Sequence, residues 1–108
     1  MKIFNDPDKK TLELWSQYER HPNQPRPVSF WFYFPHKKEA ELAKIVLEKD
    51  GFDVDISPSA PSKKQWLCLA YKTMIPEYAE LSDLRNWLEN IAEELGGEYD
   101  GWETEIIQ

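Results

Sequence analysis

The chain has 108 residues, with 20 Asp and Glu against 13 Lys and Arg, a net charge of −7 and a single cysteine. That length holds one domain and excludes two full-sized ones, the lone cysteine excludes a disulfide framework and a cysteine-rich zinc site, and the acidic balance opposes broad binding of phosphate backbones. No apolar run approaches the roughly 20 residues that span a bilayer, and Met1 to Pro7 lacks the apolar segment of a signal peptide, so a cytoplasmic protein without membrane association is expected.

Asp6-Pro7-Asp8 reads as a helix start: an N-cap acceptor, a proline at the first helical position, then an acid favourable to the helix dipole. Thr11, Leu14, Trp15 and Tyr18 follow at helical spacing. A helix this short is not stable alone, so Leu14, Trp15 and Tyr18 are expected to dock. His21 to Pro27 holds three prolines and reads as an extended linker. Residues 1–27 are thus taken as an N-terminal helix and Pro-rich linker, and residues 28–108 as the main domain.

Val28 to Phe34 is β-branched and aromatic, a strand ended by Pro35. Lys37 to Asp50 is a helix with Ala40, Ala43, Val46 and Leu47 on one face, stopped by Gly51. Phe52 to Ile56 alternates strictly, as a half-buried strand does. Ser57 to Lys64 reads as a loop. Trp66 to Tyr71 is apolar throughout and fits a central strand. Pro76 to Leu95 carries a second long helix with Leu81, Leu84, Leu88, Ile91, Ala92 and Leu95 as its stripe, stopped by Gly96-Gly97. Glu98 to Ile107 is the last strand, with Gly101 at a bulge or close approach. Two strand–helix–strand halves predict an α+β, ferredoxin-like sandwich: a four-stranded antiparallel sheet with two helices on one face and a short N-terminal helix in addition.

Strand alternation then predicts what the other face carries. Phe52, Val54 and Ile56 must face the helices, so Asp53 and Asp55 face away. Val28, Phe30, Phe32 and Phe34 belong inside, so Trp31 and Tyr33 point out with the aspartates. In the third strand both sets are apolar and its facing stays open. In the last strand, Tyr99, Gly101 and Glu103 share one face, and Asp100, Trp102 and Thr104 the other. Either set adds an aromatic and an acid, so Tyr99, Asp100, Trp102 and Glu103 all stand as candidates. Rings beside carboxylates suit Arg and Lys side chains, which stack and pair there. The alternative is that Trp31 and Tyr33 lie beneath the N-terminal helix, against Trp15 and Tyr18. The charge is also uneven: residues 73–108 hold one basic residue, Arg85, against 10 acidic ones.

Nothing points to catalysis, a metal or a cofactor. His21 and His36 have no second His or Cys at ligand spacing. Cys68, between Leu67 and Leu69, reads as a small core residue. The pairs Asp53/Asp55 and Glu103/Glu105 read as exposed strand acids.

Three segments together resemble one family: Gly51-Phe52-Asp53-Val54, Trp66-Leu67-Cys68-Leu69-Ala70, and Gly97-Glu98-Tyr99-Asp100-Gly101-Trp102-Glu103. The chain looks like the RraB family, the regulators of ribonuclease E activity, over roughly residues 30 to 106. The resemblance implies a ferredoxin-like fold, no catalytic activity, and a cytoplasmic inhibitor that binds the C-terminal scaffold of ribonuclease E. It agrees with an acidic, aromatic face that engages a basic protein segment, with no direct contact to nucleic acid. The rival reading is a homodimer that packs its two open sheets together, with no ribonuclease partner.

Overall fold

The structure, a computed structural model, describes residues 7–60 and 63–107. Seven elements follow one another: α1 (Pro7–Tyr18), β1 (Arg26–Phe34), α2 (Lys37–Lys49), β2 (Asp53–Ala60), β3 (Lys63–Met74), α3 (Tyr78–Glu94) and β4 (Glu98–Thr104). The strands form one antiparallel sheet in the order β2-β3-β1-β4. This is the expected ferredoxin-like α+β arrangement. The N-cap assigned to Asp6, and Pro61 and Ser62 of the expected loop, lie outside the described residues.

Alternation in β1 decides the layering. Val28, Phe30, Phe32 and Phe34 are buried under the helices, joined by Ala40, Ala43 and Leu47 from α2 and by Leu81, Leu88, Ile91 and Ala92 from α3. Phe30 meets Phe52 edge-on at 5.6 Å, and Phe32 lies 5.2 Å from Tyr99. Each such side chain contributes about 1.5–3 kcal/mol by leaving water. Cys68 sits fully buried in this core, and burial pushes its thiol up to about 12 despite the charge of Lys44.

Several expectations change; among them, Val46 of α2 is exposed rather than on the core face, and β4 ends at Thr104 rather than Ile107. Of the expected loop, Ser57 to Ala60 belongs to β2 and Lys63 and Lys64 belong to β3, with Pro58 opposite Trp66. Proline is tolerated there because β2 is an edge strand, where a missing N–H need not cost a ladder bond. The linker ends earlier, because Arg26 and Pro27 already pair with Met74 and Thr73. In α1, only Trp15 of the three expected anchors is buried; Leu14 and Tyr18 are exposed, and Leu12 packs on the core instead.

α1 extends the helical layer beside α3, and among the described residues no helix covers the other side of the sheet. Asp8 is buried and accepts a hydrogen bond from Trp102 Nε1 at 3.1 Å, with Arg85 Nη1 3.5 Å away. Trp15 Nε1 donates to the Glu105 carbonyl at 3.2 Å.

The turn from α1 into β1 closes around Arg26. Its guanidinium pairs with Glu19, donates to the carbonyls of His21 and Gln24, and lies 4.9 Å over the Trp15 ring; neither charged side chain has exposed surface. Glu19 also accepts from the N–H of His21 at 2.6 Å and of Ile107 at 2.9 Å. Burial pushes the Glu19 carboxyl up, but those two N–H groups and the Arg26 guanidinium together hold it below its ordinary 4.5.

Gly97 lets α3 turn closely onto β1. A Cβ there would meet the Phe34 ring and stand 2.6 Å from the Tyr33 carbonyl oxygen. A backbone oxygen in a central strand cannot move aside, so Gly97→Ala is expected to destabilise by about 1–3 kcal/mol, as overpacking does. Urea unfolding checks this, and an unchanged midpoint would contradict the close approach.

Candidate functional site

The face of the sheet away from the helices is built by register alone. Directly opposed residues point the same way, so the outward positions form rows across the strands from β4 to β2. One row reads Glu103, Ser29, Tyr71, Asp53; the next Gly101, Trp31, Leu69, Asp55; the third Glu98, Tyr33, Leu67, Ser57. The central strands therefore supply an apolar stripe of half-buried Trp31, Tyr33, Leu67, Leu69 and Tyr71. The edge strands supply exposed carboxylates on both sides, Asp53 and Asp55 from β2 and Glu98 and Glu103 from β4. Over residues 27–33, 53–57, 65–73 and 98–104, no lysine or arginine stands at an outward position.

Tyr71 O–H donates to Asp55 Oδ2 at 3.1 Å. That bond, the charge of Asp55, burial and the charge of Asp53 all raise the Tyr71 phenol above its ordinary value. The phenol thus stays a neutral donor, and it orients the carboxylate toward the stripe.

Trp31, Tyr33, Asp53 and Asp55 come together as the alternation predicts, and Glu103, whose facing the alternation left open, joins them through its register with Ser29. Tyr99 and Trp102 do not join them, and this is a correction. The β1–β4 register shifts between Trp31 and Phe32, where Trp31 opposes Gly101 and Phe32 opposes Tyr99. Asp100 is the extra residue of the bulge, which Gly101 accommodates at φ +116°. One inserted residue resets the alternation, so Tyr99 and Trp102 both turn to the helix side. There Tyr99 packs on Phe32 and Trp102 is 8% exposed. Asp100 is exposed on the edge strand, lining a small cleft with Asp8, Thr11 and Arg85 rather than the open face. Alternation without the bulge had put one aromatic of β4 on the outer side; β4 contributes only acids there.

Leu67, Leu69, Tyr71 and Glu98 complete the face, and alternation within the sequence does not mark them as site residues. β3 is apolar on both sides, so no local signal distinguishes its faces. The sheet register, with Asp53 opposite Tyr71 and Asp55 opposite Leu69, makes the distinction.

Among the described residues no three His, Cys, Asp or Glu side chains converge as a metal site would require. His21 and His36 are exposed, the latter with Nδ1 3.2 Å from Glu39 Oε1. No helix among the described residues is long and apolar enough to cross a membrane.

A family model described as regulator of ribonuclease activity B matches residues 5–104 of the chain. A search of the curated proteins finds no match.

Proposed function

Since the chain belongs to the RraB family, whose members regulate ribonuclease activity, we propose that it is a cytoplasmic, non-catalytic inhibitor or modulator that binds a basic scaffold segment of ribonuclease E through its open sheet face. The observation that supports this most is the pairing of an apolar stripe with carboxylates on both edge strands. Trp31 and Tyr33 are the anchors, which stack on guanidinium groups and bury apolar stems. Asp53, Asp55 and Glu103 pair with cations, speed the encounter and set the register. The same carboxylates repel phosphates, so the contact is with protein rather than with RNA.

The test is capture of the C-terminal scaffold fragment of ribonuclease E by the intact protein and by a Trp31→Ala/Asp53→Lys variant. Wild-type protein should retain the fragment, and the variant should bind about tenfold or more weakly, as the loss of an anchor and a charge reversal require. No capture by wild-type protein would end the ribonuclease reading. Equal capture by both would move the contact to another surface.

A further inference from the structure

The open face also constrains the conformation of what docks there. Its centre presents side chains only, because the backbone N–H and C=O groups of β1 and β3 are spent on their neighbours on both sides. An extended segment laid on this stripe would lose water from its own backbone groups and find no partners for them, which is unfavourable in an apolar setting. Extended segments bind sheet edges instead. Both edges here are poor templates: β2 carries Pro58 and acids, and β4 carries the bulge and acids. A helix satisfies its backbone internally and can lie on a face.

The dimensions agree. The two acidic edges are three strand spacings apart, about 14 Å, and a helix with its side chains is about 10–12 Å wide. Along the strand, Leu67 to Tyr71 spans about 13 Å, close to the roughly 10 Å between helix positions i and i+7. A second copy of the chain would bring another set of carboxylates and no lysine or arginine at the outward positions of residues 27–33, 53–57, 65–73 and 98–104, so charge disfavours it as the occupant.

We infer that the docked segment is an amphipathic basic helix lying along β1 and β3, its apolar stripe on Trp31 and Leu69 and its cations facing Asp55 on one side and Glu98 on the other. This rests on the open face being the docking site, as proposed above. It adds the partner's secondary structure and its pattern: apolar at i, i+3, i+4 and i+7, basic on both flanks.

The test uses two synthetic peptides of about 18 residues, near five helical turns. One places leucines on a single helical stripe flanked by arginines, and the other is a scramble of the same composition. Each is titrated into the intact, isotope-labelled protein, with amide shifts and far-UV circular dichroism recorded. The patterned peptide should shift β1 and β3 amides, gain helix, and bind about tenfold or more tightly than the scramble. Leu69→Ala should weaken it about tenfold while the melting temperature falls by no more than about 4–8 °C, so that the protein is folded during the titration. Equal binding of both peptides, binding without helix gain, or shifts confined to α2 and α3 would overturn the inference. If the ribonuclease E fragment binds this face without gaining helix, the inference fails and the docking site stands. If the patterned peptide binds as described while ribonuclease E is not captured, the helix inference stands and the ribonuclease reading fails.

Discussion

Arg26→Ala is expected to destabilise the protein by about 3–5 kcal/mol, because it breaks a fully buried ion pair from one side. The Arg26 side chain has no exposed surface, and its removal leaves the buried Glu19 carboxylate without its counter-charge. It also releases the carbonyls of His21 and Gln24 and uncovers the Trp15 ring. For a chain of this size the melting temperature should fall by on the order of 10 °C or more. A shift of only a degree or two would show that this node does not hold α1 and the C-terminal segment. The double replacement Arg26→Met/Glu19→Gln should recover part of the loss, since no lone charge then remains buried.

The same node sets an acid limb. Glu19 has a folded pKa below its ordinary 4.5, so its contribution is complete above pH 4.5 and is lost as pH falls through the folded value. Stability measured against pH should therefore drop on the acid side less steeply in Glu19→Gln than in wild-type protein. An identical slope would show that Glu19 is not a proton-linked group of the fold.

The second large effect separates two tryptophans on neighbouring strands. Trp102→Ala should cost about 3–5 kcal/mol, the range for a large aromatic lost from a core. It opens the layer between α1, α3 and β4, and it takes from Asp8 the indole donor at 3.1 Å. Trp31→Ala, at a half-buried position on the open face, should cost about 1 kcal/mol, the typical loss for a single change outside a core. Urea unfolding of the two variants makes the comparison. Equal losses would mean that the open face is covered by part of this chain. At temperatures where it is still folded, Trp102→Ala should keep partner binding, and Trp31→Ala should lose it.

The contrast also shows how far local reasoning reaches. Trp31 and Trp102 are both tryptophans within strands, Trp31 between Phe30 and Phe32 and Trp102 between Gly101 and Glu103. Alternation from the all-apolar set Val28, Phe30, Phe32 and Phe34 places Trp31 outward, and the structure agrees. For β4 the same rule fails at Asp100-Gly101, where one unpaired residue reverses the direction of everything beyond it. Gly101 announces the bulge, but not which strand partner it slips against.

The order and type of the seven elements, the helix-facing sides of β1 and β2, the stops at Gly51 and Gly96 and the burial of Cys68 are written in the sequence, because each follows from spacing within a few neighbours. The family resemblance is written there too, in short strings around Gly51, Trp66 and Glu98. The facing of β3, the inward turn of Tyr99 and Trp102, the seat of α1 beside α3 and the buried Arg26–Glu19 pair were decided only by the tertiary structure. Each depends on which distant residue stands opposite, as Asp8 does to Trp102 and Glu19 to Ile107. Hydrophobic periodicity reports that a residue needs burial, whereas register and charge pairing between distant segments determine where it is buried and against what.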